Sequence, residues 1–169
     1  MLKKETRILG LDTPRKTHLK QIIGVIFRGS FWLDAIVTYV PDKPNEDDVP
    51  RLAATLKKIK QYSQIQAAIF SREDILEHGY QDYRRLSELV KFPIFAINKK
   101  PLRGVSKDEF VRIQHDDSRI MLWINDYSPD RAKELYTLGC AMGHSTPEAV
   151  RVAELIAGRC RKYPESSNT

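Results

Sequence analysis

Apolar positions along this chain fall in short runs, and their spacing alternates between strand-like and helix-like. Thr6-Arg7-Ile8-Leu9-Gly10-Leu11-Asp12 is an apolar run that ends in an acid and predicts a first strand, broken by the loop Thr13-Pro14-Arg15-Lys16-Thr17. QIIGVIFR, from Gln21 to Arg28, is rich in β-branched residues and predicts a second strand. Gly29-Ser30 reads as a two-residue hairpin turn into a third strand, FWLDAIVTYV, from Phe31 to Val40.

The stretch from Pro41 to Pro50 is polar, acidic and proline-containing, a loop leading into a helix. Val49, Leu52, Ala53, Leu56 and Ile59 then recur at helical spacing, with Lys57, Lys58 and Lys60 facing water. QAAIF, from Gln66 to Phe70, predicts a short buried strand, and Ser71 to Gly79 is irregular or begins a short helix. Asp82 to Val90 reads as a helix with Tyr83, Leu86, Leu89 and Val90 on one face, and FPIFAIN, Phe92 to Asn98, as the next strand. A basic loop, Lys99 to Ser106, precedes a predicted helix from Lys107 to His115, with Asp108 and Glu109 where the helix dipole favours acids. RIMLWIN, Arg119 to Asn125, predicts a strand. Ser128-Pro129 and Ser145-Thr146-Pro147-Glu148 cap two final helices, ending near Cys140 and Arg161.

The resulting order, β-β-β-α-β-α-β-α-β-α-α, predicts an α/β fold: a mixed sheet opened by three strands and continued by βα units, with helices on its faces. That is the order of the ribonuclease H-like folds. A Rossmann domain lacks the antiparallel opening, and no glycine-rich nucleotide cradle follows any strand. No repeat or linker divides the chain, so residues 1–163 read as one domain followed by a polar tail, 164–169.

Composition narrows the picture little. The 169 residues carry 28 Lys+Arg against 22 Asp+Glu, a formal +6, which permits an anionic partner without demanding one. Cys140 and Cys160 lie far apart with no CxxC spacing, which argues against a structural zinc. No apolar run approaches the ~20 residues of a bilayer span. Met1-Leu2-Lys3-Lys4-Glu5 has no apolar stretch of the secretory kind, and the expectation is a reduced, cytoplasmic protein without a membrane partner.

The most informative single residue is Asp12, an acid closing a strand. Two readings stand: a carboxylate placed for a divalent metal that bridges a phosphate, or a cap on the Thr13-Pro14 turn. Metal binding needs further acids. Asp42, Glu46, Asp47 and Asp48 follow the third strand, where a helix dipole also wants them, and Glu73 and Asp74 follow QAAIF; Asp82 reads as a helix cap. His18, His78, His115 and His144 form no ligand spacing, and no serine lies in a nucleophile elbow. Arg15, Lys16 and Lys20 flank Asp12, and Lys99, Lys100 and Arg103 follow FPIFAIN; where strand ends converge, these cations would hold a phosphate backbone. Tyr39, Tyr80 and Tyr83 read either as core edges or as stacking surfaces for a base.

Several of these segments resemble a known family. Arg7 to Asp12, Ile23 to Gly29 and Trp32 to Ala35 are similar to the opening of the archaeal domain-of-unknown-function family 99, also called endonuclease dU, whose pattern is close to RxLGIDD followed by VGVxxRGxxxxDG. Asp47 falls at the acid of its DAT motif, Asp82 at the acid of its GFNxVD motif with Gly79 nearby, and Phe92-Pro93-Ile94 at its GxPVI strand. Pro147 to Ala157 resembles its PEPLRxAHLIA helix. The resemblance runs over nearly the whole chain and implies a ribonuclease H-like fold related to endonuclease V. It further implies a Mg²⁺- or Mn²⁺-dependent nuclease that cuts DNA at deaminated bases such as uracil, a DNA-repair activity.

On that reading Asp12, Asp47 and Asp74 are the catalytic set, Asp12 holds the metal with Asp47 or Asp48, and Arg15, Lys16, Lys20, Lys99 and Lys100 contact DNA. The sequence also departs from the pattern. Thr13 stands where the family has a second acid, the DG after the third strand is missing, and Ser71-Arg72 follows QAAIF where an acid or glycine turn is expected. Either Glu73 or Asp74 supplies the lost ligand, or the chain is a non-catalytic nucleic-acid-binding module that kept the fold and lost the metal. Oligomeric state is open, a homodimer included.

Overall fold

The structure, a computed structural model, describes residues 5–14, 21–41, 43, 46–100 and 106–160. The chain runs β1 (Arg7–Asp12), β2 (Ile22–Arg28), β3 (Trp32–Tyr39), α1 (Asp48–Lys57), β4 (Ile65–Phe70), α2 (Tyr80–Leu89) and β5 (Ile94–Asn98). It continues with β6 (Phe110–His115), β7 (Ser118–Trp123), α3 (Pro129–Gly139) and α4 (Glu148–Cys160). The strands form one seven-stranded sheet in the order β3-β2-β1-β4-β5-β7-β6. β1, β4 and β5 run parallel at its centre, and the β2–β3 and β6–β7 hairpins flank them antiparallel.

Side-chain alternation explains the two layers. Leu9 and Leu11 of β1 point to one face, where Leu52 and Leu56 of α1 and Tyr83 and Leu86 of α2 cover them. Ile8 points to the other, into a cluster with Leu135 and Tyr136 of α3 and Val150 and Ala153 of α4. Between them Gly10 lets α4 approach β1: a Cβ at this position would lie 2.2 Å from the Ala149 carbonyl carbon and 2.3 Å from the Val150 nitrogen. The parallel strands β4 and β5 are buried on both faces, which is why they read as unbroken apolar runs.

Two local predictions are corrected. Lys107 to His115 is not a helix: Lys107–Glu109 forms one 3₁₀ turn and Phe110–His115 is the edge strand β6. The two acids simulate a helix start, but Val111 and Ile113 alternate inward with Arg112 and Gln114 outward, a period of two. Asp116, at φ +50°, makes the tight turn into β7 that fixes the pairing of His115 with Ser118. The β2–β3 connection spans three residues, Gly29 to Phe31, since Arg28 pairs with Trp32; Gly29 takes φ +56°, which its missing Cβ permits. The tail 164–169 lies outside the described residues.

Candidate nucleic-acid site at the strand ends

Parallel strands place their carboxyl ends side by side, the usual location of binding sites in α/β sheets. Leu11 of β1 pairs with Phe70 of β4, and the Ser71 amide donates to the Leu11 carbonyl at 2.9 Å. The register therefore sets Asp12 beside Ser71-Arg72. Asp12 is 1 % exposed. Its Oδ1 accepts from the Ser71 hydroxyl at 2.6 Å and from Arg72 Nη1 at 2.5 Å. The same guanidinium donates to the Thr13 carbonyl at 3.2 Å and pairs through Nε with Asp74 Oδ1 at 2.9 Å. The buried Tyr83 hydroxyl donates to the Arg72 carbonyl at 2.7 Å, so the arginine is held at its backbone as well as at its head.

Arg72 thus stands between two of the acids singled out by the sequence. Asp74 also receives Lys100 Nζ at 3.3 Å. Burial works against its charge, but the Lys100 hydrogen bond and the neighbouring cations outweigh that and hold the carboxyl below its usual value. Lys100 reaches Glu73 at 3.5 Å, while Lys99 pairs with Glu154 at 3.0 Å and donates its amide to Glu73. Glu73, Asp74, Lys99 and Lys100 rim an open groove of about 1080 Å³, walled also by Thr13, Pro14, Arg72 and Tyr80 among others. Tyr80 stacks on Trp123 at 5.3 Å and accepts from Asn98 at 2.7 Å; burial, with Glu73 adding, pushes its phenol up to about 12.

The other predicted acids are committed elsewhere. Asp47 caps α1, accepting from the Val49 amide at 3.2 Å, and pairs with Arg85, whose hydrogen bond holds the carboxyl low. Asp48 accepts from the Tyr39 hydroxyl at 2.9 Å. Asp82 lies in the first turn of α2 and accepts from the His78 amide at 2.9 Å, His78 Nδ1 at 3.1 Å and Arg85 at 3.0 Å. The structure therefore brings Asp12 and Asp74 to one guanidinium and gives Asp47 and Asp82 a separate one, Arg85. Among the described residues, no group of three His, Cys, Asp or Glu side chains is placed to hold a metal ion.

Arg15, Lys16, Lys20, Asp42 and Arg103 lie outside the described residues. Tyr39 and Tyr83 are core residues, 5 % and 0 % exposed, and offer no face to a base; Tyr80 is the one of the three that lines the groove. Sequence reasoning noted Arg72 only as a departure from the family pattern and did not place it between Asp12 and Asp74. The signal of Arg72 was a cation directly after a buried strand whose parallel neighbour ends in a buried acid.

No family model matches the chain. It is 26 % identical to a UPF0215 protein of Methanothermobacter thermautotrophicus over 92 % of this chain and 88 % of that one. A UPF0215 protein of Methanosarcina barkeri is 27 % identical over 92 % and 91 %. Among solved structures, a protein of unknown function from Archaeoglobus fulgidus superimposes with a TM-score of 0.71 at 18 % identity, covering 91 % of this chain and 97 % of that one. Human ENDOV superimposes at 0.67, with 14 % identity over 93 % and 84 %. The fold is ribonuclease H-like. Endonuclease V of Ciona intestinalis, solved in complex with a 24mer DNA containing an inosine followed by a ribo-adenosine, shares this ribonuclease H-like fold at TM-score 0.62 and 11 % identity, over 93 % and 86 %. No helix among the described residues is long and apolar enough to cross a membrane.

Proposed function

We propose that this chain is a nucleic-acid-binding member of domain-of-unknown-function family 99, built on an endonuclease V-like scaffold, in which Arg72 occupies the place of the divalent metal. The observation that carries the reading is the buried contact of Arg72 with Asp12. Mg²⁺ or Mn²⁺ needs about six oxygen ligands at close to 2.1 Å. Here the Oδ1 atom of Asp12 is taken by a hydroxyl and a guanidinium, and the second nearby acid, Asp74, holds the same guanidinium. A divalent ion would meet the fixed positive charge of Arg72 within a few ångströms and would have to expel it from its carboxylate and carbonyl partners. The residues present do not fit the metal, and no cleavage step is derived through it.

The arginine completes the charge pattern of the strand ends without one. Support for nucleic acid as the partner comes from the basic excess of the chain and from the segment 15–20, RKTHLK, which carries three cations and no acid and is joined to the groove residue Pro14. It also comes from the scaffold's use by a DNA-bound endonuclease V. The test is fluorescence anisotropy with labelled uracil-containing, hypoxanthine-containing and undamaged DNA. The expected result is binding that falls steeply with salt, is unchanged by EDTA, and weakens in Arg15→Glu/Lys16→Glu/Lys99→Glu. Failure to bind any of these at low salt rejects the reading.

A further inference from the structure

The sheet has two edges, and they are built differently. β6 exposes Arg112 and Gln114, charged and polar side chains of the kind that keep an edge from pairing. β3 carries an irregularity at Asp34, where Ile26 pairs with Ala35 and Phe27 with Leu33, but no row of charged side chains. Its one charged residue, Asp34, is tied to Arg7 at 2.6 Å and Arg28 at 3.3 Å. Apart from Thr38, what β3 and its flanks expose is apolar: Phe31 at 70 %, Trp32 at 68 %, Leu33 at 51 %, Ile36 at 53 % and Val40 at 47 %.

The register puts part of this surface on one face. Leu33 lies opposite Phe27 and Ile36 opposite Val25, and both partners belong to the core under α3 and α4. α4 packs over β1 and β2. Its Glu154 is tied to Lys99 at the end of β5, and its Leu155 is exposed.

We infer that the β3 edge is the interface of a homodimer, in which two copies pair β3 antiparallel about a two-fold axis and the sheets join into one. An antiparallel edge is self-complementary under such an axis, and β3 brings no unpaired charge to repel its copy. The five apolar residues present on the order of 550 Å². Leu33 and Ile36 contribute on one face and Trp32, opposite Arg28, on the other, so this area wraps around the edge. With the strand's backbone edge added it approaches the roughly 800 Å² per partner of a standard interface. Two exposed aromatics could also stack on a nucleic acid, but the three aliphatic side chains beside them match a protein surface better.

Sedimentation equilibrium at 10 and 100 µM tests this. The full chain is expected at twice its sequence mass. Trp32→Lys/Ile36→Lys is expected at the mass of one chain with unchanged circular dichroism, and Arg112→Glu on the other edge is expected to stay dimeric. A wild-type monomer at 100 µM overturns the proposal, as does a dimer that survives Trp32→Lys/Ile36→Lys. Should that variant not fold, hydrogen exchange of the wild type replaces it. Amides of 32–39 that lose protection on dilution support the interface, and amides whose exchange is independent of concentration, or that slow only when DNA is added, overturn it.

Discussion

Replacing Arg72 by methionine keeps most of the side chain's volume and removes its charge. The variant leaves Asp12 buried at 1 % exposure with only the Ser71 hydroxyl on its Oδ1. The lost Asp74 contact adds little, because that carboxylate is half in water. The cost is set by Asp12: removing one member of a buried ion pair typically destabilises by about 3–5 kcal/mol. In urea, with an unfolding slope of about 2 kcal/mol per molar, that lowers the midpoint by roughly 2 M. Asp12→Asn/Arg72→Met removes both charges while the amide can still accept from Ser71, and should recover at least ~2 kcal/mol of the single variant's loss. The assay is urea unfolding at pH 7 followed by circular dichroism, run as a double-mutant cycle. An Arg72→Met midpoint indistinguishable from wild type, or two losses that simply add, would refute the placement of the guanidinium on Asp12.

Gly10→Ala forces a methyl group into the Ala149–Val150 backbone at 2.2–2.3 Å, so α4 must lift from β1; we expect a loss of more than about 3 kcal/mol in urea unfolding, and near-wild-type stability contradicts the packing. Asp47→Ala removes the α1 cap and should cost about 1 kcal/mol, while Asp47→Ser, which can still cap, should cost a few tenths; equal losses would show that the cap is not what Asp47 supplies. The carboxyls of Asp47, Asp74 and Glu109 are held below their ordinary values of 3.8, 3.8 and 4.5: by the Arg85 hydrogen bond at Asp47, and at the other two by cation contacts that outweigh burial. The unfolded chain therefore takes up these protons first as pH falls. The stability they contribute is full above those values and is lost as pH drops through the lower folded ones. The urea midpoint should be flat from pH 7 to pH 5 and decline below about pH 4.5; a midpoint that rises in acid contradicts the pairings.

Most of the fold is legible in the sequence because its elements obey single periods. The apolar run of β1, the β-branched runs of β2 and β3, the helical spacing of Val49 to Leu56 and the Ser128-Pro129 start of α3 all survive in the structure. β6 was hidden because Asp108 and Glu109 imitate a helix N-terminus, while the alternation that decides the matter is only four residues long, Val111 to Gln114. The site was legible in part. Asp12 stands out at a strand end, and the departure at Ser71-Arg72 is visible in the chain. That the departure and the acid touch depends on β1 and β4 being parallel neighbours in a particular register, which no local pattern encodes. Asp47 and Asp82 have the residue type of metal ligands but stand at a helix cap and in a helix first turn, and sequence spacing does not reveal that both turn to Arg85.

The central claim is that Arg72 has replaced a metal in a protein that still holds nucleic acid. The most direct measurement is incubation of end-labelled uracil- and hypoxanthine-containing DNA with the wild-type chain in Mg²⁺ or Mn²⁺, with binding and strand cleavage followed on the same samples. The account predicts that the DNA is bound and recovered intact in either metal. Cleavage that requires the metal and disappears in Asp12→Ala would contradict it.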